Sequence, residues 1–394
     1  MSSPLPALSA TAPSPLEAAR ALAPLIRASA NEIEASRELP RPLFNAIADA
    51  GMFHLAVPRA LGGSEIDFPV YVEVIEELGK ADASTAWAVN QGATFATTSV
   101  RMAPEVARAV WIDTPRSVVA NSPGPTAQAI VVPGGYRVTG RQPFSTGCRH
   151  AAWIAAHAQV IEDGVARQKD GEPETRYCLV PVAEVELLDT WHTRGMRGTG
   201  THHFEVRDAF VPAARTFLVK NAPQLTGGAR YKIPFGLAFA AGDGAVALGL
   251  ARSCLDAFFE LAGAKTPRYT PNLLRDQPLT QLTVGQAEAA LRSGRAFLME
   301  SVRNIWDEAT SKPVVGQGRR ADLRLAATHA IRLAAQIVQS LYSASGATAA
   351  FEGNPIQRHF QDIHVITQHV QGRLAHYELV GQYWLGIPID ESRL

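Results

Sequence analysis

His369, near the C-terminus, is the side chain in this sequence best suited to acid–base chemistry. Histidine titrates near neutral pH, so its imidazole can hydrogen-bond a reactive group or take a proton from a substrate hydroxyl or amine. A helix that begins at Pro355, counted at about 100° per residue, places its apolar residues on one face. These residues are Ile356, Phe360, Ile363, Val370 and Leu374. His369 falls on a different face, either as a functional group or as a solvated histidine beside Arg373.

Two other segments combine hydroxyl side chains with glycine. They are Phe144 to Gly147 (FSTG) and Gly195 to Thr201 (GMRGTGT). A Ser or Thr hydroxyl can donate a hydrogen bond to a ligand nitrogen without adding charge. Both segments are also typical of turns, because Ser and Thr favour strand ends and glycine tolerates positive φ. The second segment precedes a strand rather than opening a helix, so it does not indicate a dinucleotide fold.

The composition indicates a globular protein with a large core. Of the 394 residues, 46% are hydrophobic and 19% are charged, which excludes a disordered chain. The 37 basic and 37 acidic residues balance, so we expect no surface for nucleic acid or an anionic membrane. Cys148, Cys178 and Cys254 lie far apart without metal-ligand spacing, which argues against a disulfide scaffold and a zinc site. We therefore predict a cytoplasmic protein without a metal.

Neither the longest apolar stretch nor the N-terminal segment has the pattern of a membrane or targeting element. The apolar stretch around Phe235 to Leu250 is broken by glycines and Asp243, so it falls short of the roughly 20 apolar residues that a membrane span needs. Met1 to Pro15 is rich in Ser, Pro and Ala but has neither a positive n-region nor a continuous apolar region. The sequence predicts a disordered tail there, and no membrane association.

The hydrophobic periodicity changes twice along the chain and predicts three domains. Helical spacing runs from Leu16 to about Val118, and short strand-like runs bounded by turn residues follow. Helical spacing returns after Pro234, with a long apolar stripe between Ala321 and Ala344. The predicted division is a tail at 1–15, a helical domain at 16–118, a β domain at 119–225 and a helical domain at 226–394. Without βα alternation, the fold class is α+β.

This order of elements, and several segments in detail, resemble the acyl-CoA dehydrogenase superfamily. The segments are Met52 to Gly63 (MFHLAVPRALGG), Glu76 to Trp87 (EELGKADASTAW), Phe144 to Trp153 (FSTGCRHAAW), Gly195 to Thr201 with Val211-Pro212, and Asn354 to His369 (NPIQRHFQDIHVITQH). They are most similar to the flavin-dependent oxygenase components of two-component monooxygenases, the relatives of hydroxyphenylacetate hydroxylase and dibenzothiophene monooxygenase. Each motif is weak alone, but five in the right order are specific.

The resemblance implies a fold, a cofactor and a reaction. The fold would be an N-terminal helical domain, a middle β-barrel or sandwich, and a C-terminal four-helix bundle. The protein would be a homotetramer that takes reduced FMN or FADH2 from a separate NAD(P)H:flavin reductase. Oxygen would add to the flavin C4a atom to give a C4a-hydroperoxyflavin, which would oxygenate a small organic substrate. The pocket would be dry and apolar, because water promotes loss of hydrogen peroxide.

The resemblance also implies roles for particular residues. The hydroxyl of Thr146, or alternatively Ser145, would face flavin N5, with the ring of Phe144 near the flavin. Further flavin contacts are implied for three residues of the second segment: Arg197, Thr199 and Thr201. The imidazole of His369 would face the C4a position, and Trp87 would line the pocket. Phe95 stands about where phenol hydroxylases carry a substrate-binding histidine, which argues against a phenol substrate.

Two alternative functions remain open from the sequence. An acyl-CoA dehydrogenase needs a carboxylate base, and Phe351-Glu352-Gly353 resembles the motif that supplies it. However, this motif stands one residue closer to Gln357-Arg358 than expected, and Ala or Gly around Ala240 to Gly242 replaces an expected arginine. The second alternative is a non-catalytic binding protein with the same fold, which would be favoured if no flavin bound in either redox state.

Overall fold

The structure, a computed structural model, describes residues 13–220 and 222–394. Residues 1–12 of the predicted tail therefore lie outside the described residues. The first helix begins at Pro15, and Ser14 caps it in a capping box. The Ser14 hydroxyl accepts the Glu17 N–H, while the Glu17 carboxylate accepts the Ser14 N–H at 2.8 Å. Ordered structure thus begins within the segment predicted to be a tail.

The N-terminal domain is helical, as predicted. Its helices are α1 (Pro15–Ala28), α2 (Ala30–Ser36), α3 (Arg41–Asp49), α4 (Phe68–Ala81), α5 (Ala83–Phe95) and α6 (Pro104–Trp111). Pro42 lies in the first turn of α3, and Gly51 follows this helix at φ 75°, a conformation that glycine adopts without steric cost. In α5 every residue except Gln91 is buried. This helix therefore runs through the centre of the molecule.

The middle domain is built on one mixed sheet. Its strands are β1 (Val119–Asn121), β2 (Ala127–Val132), β3 (Gly135–Ser145), β4 (Trp153–Glu162), β5 (Val165–Ala166), β8 (Thr175–Pro181), β9 (Val185–Leu188), β10 (His202–Pro212) and β11 (Thr216–Leu218), with a separate hairpin of β6 (Gln168–Lys169) and β7 (Glu172–Pro173). The main order is β11-β8-β4-β2-β3-β10-β9, and both β1 and β5 pair with β4. Only β1 and β2 run parallel to β4 in this sheet. The strand-like runs predicted from the sequence each lie within one of these strands; they are 129–132, 136–139, 153–160, 177–180, 186–188 and 203–206.

The C-terminal domain is a helical bundle. Its helices are α7 (Phe235–Ala264), α8 (Pro278–Ser311), α9 (Gln317–Ser345), α10 (Pro355–Ile366) and α11 (Ala375–Trp384). Helices α7 to α10 pack on one another as a four-helix bundle, and the predicted apolar stripe forms the buried face of α9. Asn354 caps α10 by accepting the Ile356 N–H at 2.9 Å, as its position before Pro355 predicted. None of the helices in 13–220 and 222–394 combines the length and apolar character needed to cross a bilayer.

Helix α7 approaches α4 and α5 closely because it carries glycines at the crossing points. A Cβ atom on Gly249 would come within 2.5 Å of the Glu76 carbonyl oxygen of α4. A Cβ atom on Gly242 would come within 1.9 Å of Asn90 Oδ1 of α5. No larger side chain fits at either contact. The crossing at Gly242 brings the next residue, Asp243, against the centre of α5.

The helix that carries His369 ends earlier than predicted. Helix α10 stops at Ile366, and His369 has an extended backbone (φ −66°, ψ 152°) before a short 3-10 turn. Placing His369, Val370 and Leu374 by helical arithmetic was therefore wrong, and Leu374 is 63% exposed. The Thr367 hydroxyl donates to the His364 carbonyl at 2.7 Å, so it competes for the last turn of the helix. His369 therefore lies on a loop, and its side-chain direction does not follow the helical repeat.

Candidate active site

A cavity of about 550 Å³ lies where α5, the ends of β3 and β10 and the segment after α10 meet. Its aromatic and apolar lining includes Trp87, Pro123, Phe144, Trp191, Met196 and Val365. Its polar lining includes Gln91, Thr146, Thr199, Thr201, His369 and Arg373. The volume is within the range of about 300–1,000 Å³ that small-molecule and cofactor sites occupy. No Asp or Glu is among the described residues that line it.

One wall of the cavity is a row of three threonine hydroxyls. Strand pairing places Ser145 of β3 opposite His202 of β10, which brings Thr146 beside Thr201. The Thr146 and Thr201 hydroxyl oxygens lie 3.0 Å apart, and those of Thr201 and Thr199 lie 2.7 Å apart. Thr199 donates to the Met196 carbonyl at 2.8 Å. The two sequence segments singled out for their hydroxyls therefore form a single hydrogen-bonded surface.

The three threonine hydroxyls all donate their hydrogen bonds in the same direction, from Thr146 toward Met196. A carbonyl oxygen can only accept, so the Thr199 proton belongs to the bond with Met196. Thr201 must then donate to Thr199, and Thr146 must donate to Thr201. The lone pairs of Thr146 are left to accept from a ligand in the cavity.

Phe144 is held in an unusual backbone conformation at the mouth of this wall. Its φ is 59°, in the left-handed region that bulky side chains rarely adopt. Its ring lines the cavity, is 55% exposed and meets the His203 ring at a centroid distance of 5.7 Å. A strained backbone that displays an exposed aromatic ring is typical of a ligand contact.

The opposite wall carries His369. Its imidazole stands nearly perpendicular to the Trp87 indole, with ring centroids 4.9 Å apart and an interplanar angle of 88°. Its Nδ1 atom lies 3.1 Å from Oδ2 of Asp243, within hydrogen-bonding distance but away from the ideal angle. Neither atom has another hydrogen-bond partner among the described residues. The second ring nitrogen, Nε2, is therefore the one left for the cavity.

Asp243 is a buried carboxylate behind the imidazole. Its side chain is fully inaccessible to solvent. Its Oδ1 atom accepts from Asn90 Nδ2 at 2.9 Å and from Gln91 Nε2 at 3.3 Å. Burial raises the pKa of Asp243, while the neighbouring His369 and the two amide donors lower it. Sequence analysis missed its role, although an acid inside the apolar start of α7 was the available signal.

A second buried carboxyl holds the segment that carries the threonines. Asp362 of α10 accepts the backbone N–H of Met196, which has a left-handed φ of 51°. Burial, together with the nearby Glu34 carboxylate, raises the pKa of Asp362 to about 8. The GMRGTGT loop is thus tied to the same helix whose end leads to His369. Sequence analysis also missed Trp191, whose indole donates to the Met196 carbonyl at 2.9 Å.

Four residues considered from the sequence lie away from the cavity. The Ser145 side chain is buried beside the threonine wall, without a hydrogen-bond partner among the described residues. Arg197 points away, where it donates to the Glu34 and Thr193 carbonyls. Phe95 is fully buried among aromatic residues, with its ring against Tyr177. Glu352 lines a separate groove of about 490 Å³. The cavity therefore unites Trp87, Phe144, Thr146, Thr199, Thr201 and His369.

The residues of the cavity fit a flavin ring. Trp87, Phe144 and Trp191 provide aromatic surface for a flat ring system, and the threonine wall provides hydroxyls for heteroatoms along its edge. The same lining does not supply a dehydrogenase base, because Glu352 lines a separate groove and none of the described lining residues is an Asp or Glu. An arginine around residues 240–242 would not fit at Gly242, where the Asn90 amide leaves no space for a Cβ atom.

Comparisons with known proteins agree with this fold and site. The sequence model of the acyl-CoA dehydrogenase N-terminal domain matches residues 17–113, and that of the C-terminal domain matches residues 241–373. The two matches cover the helical domains on either side of the sheet. Fold and cavity together define an acyl-CoA dehydrogenase-like flavin enzyme.

Individual relatives narrow this class. Indole-3-acetate monooxygenase of Pseudomonas putida is 31% identical over 91% of this chain and 90% of its own length. The flavin-dependent monooxygenase oxygenase subunit HsaA of Mycobacterium tuberculosis is 28% identical over 94% of this chain and 95% of its own. The solved structure of XiaF from Streptomyces sp. in complex with FADH2 and glycerol superposes with a TM-score of 0.87, at 25% identity and 95% coverage of both chains. The chain belongs to the flavin-dependent monooxygenases of the acyl-CoA dehydrogenase superfamily.

Proposed function

We propose that this enzyme is the oxygenase component of a two-component system, which receives reduced FMN or FADH2 from a separate NAD(P)H:flavin reductase. The proposal is supported by the XiaF complex with FADH2 and by the description of HsaA as an oxygenase subunit. The observation that carries it is the cavity itself. It joins a hydroxyl wall, aromatic surfaces and one imidazole, without a carboxylate.

Each part of the cavity has a role in this reaction. Reduced flavin, when bound, supplies oxygen activated from O2. The Thr146 hydroxyl and the Phe144 ring hold the flavin edge, and Thr199 and Thr201 support Thr146. The aromatic lining excludes water around the reacting atoms. His369 accepts a proton from the substrate at Nε2, or donates a hydrogen bond there.

We propose an aromatic substrate that is neutral or anionic. Aromatic walls favour a flat ring, and the relative of Pseudomonas putida is named for indole-3-acetate. Arg373 is a cationic residue of the lining, and no Asp or Glu is among the described residues that line the cavity. A cationic substrate would therefore find no counter-charge in the cavity. Because Phe95 lies outside the cavity, its identity gives no evidence against a phenol.

The reaction class can be tested without knowing the natural reductase. We expect the protein, mixed anaerobically with chemically reduced FMN or FADH2 and indole-3-acetate and then exposed to O2, to give an oxygenated product. Mass spectrometry with 18O2 should show one labelled oxygen atom. Tight binding of oxidised FAD with bleaching by an acyl-CoA, and no labelled product from any aromatic acid or phenol, would instead identify a dehydrogenase.

We also propose a cytoplasmic homotetramer with the domain division predicted at residues 118 and 225. Large apolar side chains are exposed toward the C-terminus, including Phe351 at 72%, Trp384 at 61% and Leu385 at 78%. Such side chains are typical of surfaces that pack against another subunit. We expect light scattering at micromolar concentration to give four times 42.3 kDa. A stable monomer would contradict the proposed assembly.

A further inference from the structure

The side of His369 that faces away from the cavity meets a single ionisable partner. Nδ1 lies 3.1 Å from Asp243 Oδ2, and no other described residue hydrogen-bonds to either atom. Hydrogen bonds of catalytic groups are often imperfectly aligned before a ligand binds. An imidazole that places a proton on Nδ1, toward a carboxylate, has its Nε2 lone pair free on the opposite side of the ring.

We infer that Asp243 is a positioning residue, which fixes the Nδ1–H tautomer of His369 and stabilises its imidazolium form during turnover. The inference rests on the proposed function. When a substrate O–H or N–H transfers its proton to Nε2, the substrate bond breaks with its electron pair left on the substrate. A new N–H bond forms, and His369 becomes positively charged beside the Asp243 carboxylate. Because the His369 side chain is 34% exposed, the proton can then leave to solvent.

The surroundings of Asp243 offset part of the cost of burying its charge, although burial is the larger effect and raises its pKa. Its Oδ1 atom accepts from both Asn90 and Gln91. Asn90 is oriented in turn by Tyr71, whose hydroxyl donates to Asn90 Oδ1 at 2.8 Å. Two amide donors therefore satisfy Oδ1, and the imidazole at 3.1 Å is the nearest partner of Oδ2, in a carboxylate that is inaccessible to solvent. An unpaired carboxylate at this depth would be strongly unfavourable, so the pair with His369 is part of its stability.

Three charged or titratable groups face Asp243 from the elements packed around it. They are His369 from the loop after α10, Arg324 from α9 and Tyr71 from α4. Burial lowers the pKa of Arg324 to about 10, so it remains positively charged at neutral pH. Burial raises the pKa of Tyr71 above its usual range, so it remains neutral. Of the three, His369 is the group that also lines the cavity.

The tautomer gives a test that does not depend on activity. We expect 15N magic-angle-spinning NMR of 15N-histidine-labelled protein to show His369 protonated at Nδ1, with the signal assigned by its loss in His369→Gln. In Asp243→Asn, the new amide would donate to Nδ1 and move the proton to Nε2. Asp243→Glu should restore the Nδ1–H form. Glu76→Gln controls for the loss of a buried carboxylate, because Glu76 pairs with Arg295 and not with His369.

Kinetics provides the second readout. We expect Asp243→Asn to lower the rate of substrate oxygenation about 10² to 10⁴-fold, the contribution typical of a positioned acid or base, with little change in KM or flavin Kd. An unchanged tautomer and a rate within twofold of wild type would overturn the role of Asp243. Conversely, if Asp243→Asn switches the tautomer but the wild-type protein makes no oxygenated product, the proposed function is refuted and the pairing of Asp243 with His369 is retained.

Discussion

The Trp87 indole stands perpendicular to the His369 imidazole, with the two ring centroids 4.9 Å apart. The imidazole therefore contacts Trp87 through its ring and Asp243 through Nδ1. Trp87 belongs to the rigid helix α5, and His369 belongs to a loop. The contact therefore restricts the orientation of the loop side chain by packing it against a residue of the helix. Pairs of aromatic rings in this arrangement contribute about 0.5–1.5 kcal/mol beyond the area they bury.

The first prediction concerns His369. We expect His369→Gln to lower oxygenated product about 10² to 10⁴-fold and to divert oxygen to hydrogen peroxide, because the acid–base group is lost. The Gln amide can donate to Asp243 Oδ2 in place of the imidazole, so His369→Gln should lose less stability than His369→Ala, which leaves that carboxylate without this partner. Product and peroxide should be measured in the same single-turnover reaction.

His364→Gln is the matched control. His364 is exposed and packs its ring against Phe360 at 4.5 Å, and it does not line the cavity. Equal losses of product in the two variants would show that the effect does not come from the cavity.

The second prediction concerns the direction of the threonine hydrogen bonds. With Thr146 accepting from the cavity, the wall favours reduced flavin, whose N5 carries a proton, over oxidised flavin, whose N5 only accepts. Thr201→Val removes the acceptor of the Thr146 hydroxyl, which could then donate to the oxidised flavin. We expect the preference for reduced flavin to fall about tenfold, which corresponds to the free energy of roughly one hydrogen bond. The measurement is the ratio of Kd values for oxidised and reduced flavin.

Ser145→Ala is the control for this variant. Its hydroxyl is buried next to the wall but has no hydrogen-bond partner among the described residues. The ratio of the two Kd values should stay within about twofold of wild type. If Ser145→Ala alone changed the ratio, Ser145 and not Thr146 would be the hydroxyl that faces the flavin.

The third prediction concerns Asp362 and pH. Its pKa is raised from 3.8 to about 8, mainly by burial, so the folded state binds its proton more tightly than the unfolded state. Its contribution to stability is therefore complete below about pH 4 and is lost as pH rises to about 8. Asp362→Asn cannot ionise, and the amide oxygen still accepts the Met196 N–H.

Urea unfolding of wild type and Asp362→Asn at pH 5 and pH 8 measures this effect. We expect the variant to gain stability relative to wild type at the higher pH. If the difference in the free energy of unfolding between wild type and Asp362→Asn were the same at pH 5 and pH 8, Asp362 would not titrate between these pH values.

The fourth prediction concerns Glu352. This residue is exposed and lies in a groove apart from His369. We expect Glu352→Gln to keep oxygenase activity within about twofold of wild type, because surface substitutions far from a site have small effects. Complete loss of turnover would revive the dehydrogenase alternative.

The sequence predicted the order of elements because local periodicity determines it. The stripe of α9 and the alternating runs of the sheet are repeated over many residues, so single exceptions do not obscure them. At the end of α10, by contrast, the hydroxyl of a single residue, Thr367, hydrogen-bonds a carbonyl of the last turn. Periodicity carries no information on such a local event, and for that reason His369 was placed on a helix.

The site was predictable only where neighbouring residues in sequence act together. Thr146 and Thr201 were found through their own glycine-containing segments. Asp243 reaches His369 across 126 positions of sequence, through a crossing of α5 and α7 that no single segment encodes. For Arg197 the sequence segment was recognised, but the side chain points toward Glu34 and does not line the cavity.

The tight contact at Gly242 limits how this enzyme can evolve or be engineered. Any larger residue there would displace Asn90, and with it a donor to the adjacent Asp243. A substitution that changes the packing of α5 on α7 would therefore also change the hydrogen bonding of the carboxylate behind the imidazole. Loop residues of the lining such as Pro123 and Gln368 carry no such constraint from the crossing. A library for new substrates should vary those loops and leave the α5–α7 crossing as it is.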